Sequence, residues 1–76
     1  MSHDPHATLV RMANQIALAF AAQGEARALP QIADHVNQFW DPRMRRAMAE
    51  HLAGGGDGLH PLALKALSKQ MQPPRD

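Results

Sequence analysis

Apolar residues recur along this chain with the three- and four-residue spacing that places side chains on one face of an α-helix. The spacing predicts helices over about residues 5–22, from residue 25 or 29 to 40, over 42–53, and over about 60–71. There is no run of alternating apolar and polar residues, which would predict a strand. The pattern therefore predicts an all-α fold, a small bundle of three to four short helices joined by Gly/Pro turns.

Capping residues set the predicted ends of these helices. Asp4 followed by Pro5 is suited to start the first helix, and Gly24 to end it. Asp41 before Pro42 is a stronger start signal for the third helix, and the glycines at 54–56 end it. We expect residues 54–58 to form a short flexible connection before a fourth helix that begins near His60-Pro61, where Leu59 packs back as a hydrophobic staple.

Pro30 complicates the second helix. Inside a helix, proline removes one hydrogen bond and clashes with the preceding turn, at a cost of about 3 kcal/mol. This cost favours a start near Leu29, with residues 25–28 forming a turn or a short, kinked helix.

Each predicted helix has an apolar stripe that identifies its expected core positions. Arg11, Asn14 and Gln15 fall away from the first stripe and are expected to face solvent. The stripes comprise Leu9, Ala13, Ile16, Ala17 and Phe20, then Leu29, Ile32, Ala33, Val36 and Phe39 or Trp40, then Met44, Met48 and Leu52, and finally Leu62 or Ala63, Ala66, Leu67 and Met71.

The composition predicts one marginally stable domain. The 76 residues form a single predicted domain, 1–76, with a core over about 5–71 and a mobile tail at 72–76. Hydrophobic residues make up 45% of the chain, but 14 of them are alanine and bury little area. There is no cysteine, which excludes disulfides and thiolate metal sites. We therefore expect a chain that gains stability by association.

Charge and hydropathy exclude several classes of protein. The net charge of +1 is low for a nucleic-acid-binding protein, although three clustered arginines keep a small helical DNA-binding protein as a remote alternative. No apolar run is long enough to span a membrane, and the N-terminus lacks the pattern of a signal peptide. The expected location is the cytoplasm.

No motif for catalysis, cofactor binding or metal binding is found. His3 and His6 are spaced for a shared metal, but only Asp4 is a nearby third ligand, and solvated side chains are the favoured interpretation. The other histidines lack a metal-binding spacing, and neither serine lies in a nucleophile motif. His35 is expected on a polar face and His51 near the negative end of its helix. The glycine run 54–58 lacks the residues of a phosphate-binding loop.

The most informative stretch is the octapeptide at residues 39–46. Its two adjacent aromatic residues cannot share one core, because successive helix positions point about 100° apart. Its three arginines crowd the positive end of a helix, where cations are disfavoured by roughly 0.3–1 kcal/mol each. They form either a solvated basic face or a partner-binding surface. On the second interpretation, Arg43→Ala or Arg45→Ala is expected to leave the stability of the free chain unchanged or slightly raised, because it relieves repulsion at the positive helix end. The predicted partner-binding residues are Phe39, Trp40, Asp41, Pro42, Arg43, Met44, Arg45 and Arg46.

At this octapeptide the chain resembles the delta subunit of cytoplasmic, soluble NAD-dependent formate dehydrogenases. The matching segments are LVRMANQI at 9–16, IADHV at 32–36, FWDPRMR at 39–45 and GGDGLHPL at 55–62. The resemblance covers residues 8–69, and FWDPRMR is its most specific part. Pro30 departs from the smoothly helical second segment expected of the family.

The resemblance implies an accessory role. In such enzymes the alpha subunit carries a molybdenum or tungsten pterin cofactor and iron–sulfur clusters, and the beta and gamma subunits carry flavin and further clusters. The expected function is a non-catalytic delta subunit that binds no cofactor and docks on the alpha subunit, within a complex that includes beta and gamma, to stabilise it or assist its assembly. A dissociable maturation factor for cofactor insertion remains the alternative.

Overall fold

The computed structural model describes residues 6–70 and contains four helices in that range: α1 (Ala7–Ala21), α2 (Glu25–Phe39), α3 (Pro42–Ala53) and α4 (Pro61–Gln70). The helices hold 80% of the described residues, and no strand occurs among them. The predicted all-α fold is thus confirmed. The predicted start at Asp4-Pro5 and the predicted mobile tail lie outside the described residues.

The core lies where α2 packs against α1 and α4, and α3 lies against α1 and α4 with smaller contacts. The predicted stripes supply most of it, and half of the buried apolar residues are alanines. Small side chains let helix axes approach closely but bury little apolar area for each residue. The buried residues are Leu9, Ala13, Ala17, Ala28, Ile32, Ala33, Val36, Trp40, Met48, Ala63, Ala66 and Leu67.

Helix α2 begins at Glu25 and continues through Pro30, so of the two predicted starts the one at residue 25 is confirmed and the favoured one, near Leu29, is wrong. Two contacts hold the first turn in place: Ala28 is fully buried in the core, and the Glu25 carboxylate lies 2.9 Å from Lys65 Nζ on α4. Pro30 is exposed, so its ring adds no clash with the neighbouring helices. Tertiary packing of the preceding turn therefore overrides the local cost of the proline.

Both ends of α3 follow the predicted signals. The Asp41 side chain accepts a hydrogen bond from the Met44 backbone N–H at 2.9 Å, and Pro42 occupies the first helical position. At the other end, the Gly55 and Gly56 N–H groups donate to the Leu52 and His51 carbonyls, as in a Schellman motif. Gly56 is buried with φ +66°, and a Cβ there would lie 2.5 Å from Leu64 Cδ1. Only glycine fits without a shift of its surroundings.

The connection after α3 is held by side chains, contrary to the expected flexible linker. Asn14 on α1 donates to the Gly58 carbonyl at 3.0 Å and accepts from the His60 backbone N–H at 2.7 Å. The His51 imidazole Nε2 donates to the Asp57 carbonyl at 2.7 Å. Asn14 is half-buried, so the expectation that it faces solvent is wrong. The apolar stripe of one helix carries no information about a loop that returns to it from 44 residues away.

Candidate docking surface

The turn between α2 and α3 separates the two adjacent aromatic residues. Trp40 is 3% exposed and belongs to the core, whereas Phe39 is 71% exposed. The backbone changes from helical to extended at Trp40, with φ −86° and ψ 135°. One ring packs inside and the other lies on the surface, as the octapeptide predicts. The indole of Trp40 is therefore not available as a surface anchor, and Phe39 is the exposed ring of this turn.

Arg45 has a structural contact that its place in the sequence does not suggest. Its Nη1 donates to the Trp40 carbonyl at 2.7 Å and makes a longer contact of 3.4 Å with the Asn37 carbonyl. Its Cα lies near the positive end of α3, but its guanidinium reaches the negative end of α2. Arg45 therefore makes a favourable contact within the chain, which neither interpretation of the arginine cluster predicts.

The other two arginines of the cluster project from the start of α3. Arg43 and Arg46 are exposed and, with Asp41 and Pro42, line a shallow depression of about 450 Å³. Arg43 makes no hydrogen bond or ion pair with any described residue, and it directly precedes Met44 in the chain. The arginine cluster therefore consists of one inward-facing residue, Arg45, and two outward-facing ones.

A separate apolar groove lies between α1, the C-terminal half of α2 and the start of α3. It has a volume of about 360 Å³ and is open to solvent. Within it, the rings of His35 and Phe39 are 4.8 Å apart, so His35 is half-buried against an aromatic ring. The lining residues are Met12, Gln15, Ile16, Ala19, His35, Phe39, Trp40 and Met44.

Only three of these residues, Phe39, Trp40 and Met44, are among the partner-binding residues predicted from the sequence. A signal for the others exists in α1, whose apolar positions extend beyond the stripe that one core requires. Met12 and Ala19 lie outside the predicted stripe and follow the helical spacing with Ile16, which belongs to that stripe. Assigning such a second stripe to a surface requires knowing how far the neighbouring helices extend.

The described residues do not assemble a metal centre. No group of three or more His, Cys, Asp or Glu side chains within residues 6–70 is placed to hold an ion. His6 and His51 approach to 3.2 Å between their Nδ1 atoms, and this contact joins the start of α1 to the end of α3. None of the helices in the described range is both long and apolar enough to cross a membrane.

Residues 6–70 form four helices, and this small helical protein presents an apolar surface beside a basic helix start. The chain matches the sequence model of the NADH-dependent formate dehydrogenase delta subunit, FdsD, over residues 8–67. It therefore belongs to the FdsD family, as its resemblance suggested, and the family implies association with other subunits of a formate dehydrogenase complex. Comparison with curated proteins and with solved structures finds no match.

Proposed function

We propose that this chain is a non-catalytic subunit that docks on the large alpha subunit of an NAD-dependent formate dehydrogenase and stabilises the cofactor-loaded enzyme or assists its assembly. The observation that carries this proposal is the family match, because it spans residues 8–67 and so covers α2 and α3 and most of α1 and α4. The beta and gamma subunits complete the proposed complex. The cytoplasm remains the predicted location.

The donor chemistry of the chain supports a role without a cofactor of its own. Iron–sulfur clusters are held chiefly by cysteine thiolates, and the sequence has no cysteine. His6 and His51 contact each other and the surrounding chain, and no group of three or more metal-binding side chains is found within residues 6–70. In this proposal the molybdenum or tungsten pterin, the iron–sulfur clusters and the flavin all belong to the other subunits.

The experiment that tests the proposal is affinity purification of the tagged full-length chain from cells that co-express the other subunits. The expected result is co-purification of the alpha subunit in a fixed ratio, together with formate-dependent NAD reduction. Deleting the chain is expected to lower the yield or the metal content of the assembled enzyme. Failure to recover any dehydrogenase subunit would refute the proposal, and recovery of only cofactor-free alpha subunit would favour the maturation factor instead.

A further inference from the structure

Two histidines from distant parts of the chain meet where the start of α1 lies against the end of α3. His6 directly precedes α1, and His51 lies in the last turn of α3. Their Nδ1 atoms are 3.2 Å apart, and the rings meet edge to face with centroids 5.1 Å apart. Two nitrogen ligands of one tetrahedral zinc ion, each about 2.0–2.1 Å from the metal, are separated by roughly 3.3–3.4 Å. The pair therefore has the spacing of two ligands of one metal ion.

The other nitrogen of each ring lies near an acceptor. His51 Nε2 lies 2.7 Å from the Asp57 carbonyl oxygen, and because a carbonyl only accepts, this nitrogen carries a proton. The neutral His51 ring then has its lone pair on Nδ1, the atom that faces His6. His6 Nε2 lies 3.9 Å from a carboxylate oxygen of Glu50, which favours a proton on Nε2 and a lone pair on Nδ1 of this ring as well.

This arrangement is the one that metal-binding histidines generally have. Their second ring nitrogen donates to a carbonyl, a carboxylate or water, which fixes the tautomer and the orientation of the ring. His51 has such a carbonyl in Asp57, and His6 has a carboxylate nearby in Glu50. The side chain of His6 is 25% exposed and His51 is half-buried, so an ion can reach the two Nδ1 atoms from solvent.

An ion at this position would join two helices that have few other contacts with each other. Helix α3 packs less closely against α1 than α2 does, and half of the buried apolar residues of the core are alanines. Small domains with a limited core commonly gain stability from a structural metal ion. Such an ion stabilises the fold by binding the folded chain in preference to the unfolded one.

We propose that His6 and His51 form a structural site for a divalent transition metal ion that prefers imidazole ligands, such as Zn²⁺. The ion binds the two Nδ1 atoms and takes water in its remaining positions, since residues 6–70 place no third His, Cys, Asp or Glu side chain there. Without the ion the two nitrogens share one proton in a hydrogen bond, and metal binding releases that proton. Zn²⁺ has no redox chemistry, so this site is independent of the proposed docking role.

The test is titration of the untagged full-length chain with Zn²⁺, followed by calorimetry. His6→Ala and His51→Ala are each expected to weaken Zn²⁺ binding at least about 10-fold, because loss of an outer contact of a ligand alone costs about 10–100-fold. The matched control is His35→Ala, because His35 contacts Phe39 on α2 and lies outside the pair. His35→Ala is expected to change binding less than about 3-fold, and Mg²⁺, which prefers oxygen ligands, is expected not to bind.

Two further measurements use the wild-type chain alone, so they hold even if a variant fails to fold. At a Zn²⁺ concentration about 100-fold above Kd, Tm is expected to rise by at least about 5 °C. Nitrogen-15 NMR of the imidazole rings is expected to show coordination through Nδ1 of both His6 and His51. Circular dichroism verifies which variants are folded.

Three outcomes would overturn the inference and leave the proposed function untouched. A wild-type chain that does not bind Zn²⁺ would show that the contact is only a hydrogen bond between two rings. Folded His51→Ala that binds Zn²⁺ as tightly as wild type would place the ion elsewhere in the chain. Coordination through Nε2 of His51 would contradict the geometry, because that nitrogen donates to Asp57.

Discussion

Replacing Arg45 with alanine should destabilise the free protein, although a sequence argument predicts the opposite. The substitution removes the 2.7 Å hydrogen bond to the Trp40 carbonyl and the longer contact with the Asn37 carbonyl. Hydrogen bonds from a charged donor contribute about 1.5–3 kcal/mol, and partial exposure of Arg45 reduces this. The substitution also removes the repulsion between the Arg45 charge and the positive start of α3, which stabilises the protein by about 0.3–1 kcal/mol. This gain roughly cancels the loss of attraction between the same charge and the negative end of α2. The expected net loss of stability is about 1–2 kcal/mol.

Chemical denaturation followed by tryptophan fluorescence measures this loss, because Trp40 is the only tryptophan and is buried. The corresponding fall in Tm is about 5–15 °C for a domain of this size. Arg43→Ala is the matched control from the same helix turn and should stay within about 0.5 kcal/mol of wild type. Arg45→Lys should restore only part of the stability, because it keeps the charge without the planar donor group. If Arg45→Ala and Arg43→Ala are equally stable, the guanidinium does not cap α2.

Three further substitutions test the fold. Asn14→Ala should lower the free energy of unfolding by about 1–2 kcal/mol in urea denaturation, because it removes two hydrogen bonds to the α3–α4 connection. An unchanged denaturation midpoint would show that these hydrogen bonds do not stabilise the fold. Gly56→Ala should cost about 1–3 kcal/mol, from a left-handed φ of +66° and a Cβ crowded by Leu64, and thermal melting by circular dichroism should detect it. Pro30→Ala should raise Tm, because it restores a helical hydrogen bond to Ala26 at an exposed position of α2, and a lower Tm would show that the proline has a packing role.

The helices themselves were predictable because their signals are local. Periodic apolar residues, the Asp41 cap and the glycines after residue 53 act within one or two turns of chain, and the structure has helices at all four predicted places. The start of α2 near Leu29 was wrongly favoured because burial of Ala28 and the pairing of Glu25 with Lys65 come from tertiary packing. A penalty for Pro30 can be estimated locally, but the packing that outweighs it cannot.

The sequence by itself determined the fold class, the family and the turn at which an exposed aromatic residue and basic residues meet. Tertiary structure alone decided what each of those residues does. Arg45 and Arg43 are two positions apart at the same helix end, yet one caps α2 and the other faces solvent. The groove could likewise not be predicted from the sequence, because its walls come from two different helices, with Ile16 on α1 and Phe39 on α2. The physical reason is that capping and helix periodicity are short-range effects, whereas a surface is formed by whatever the packing of distant helices leaves uncovered.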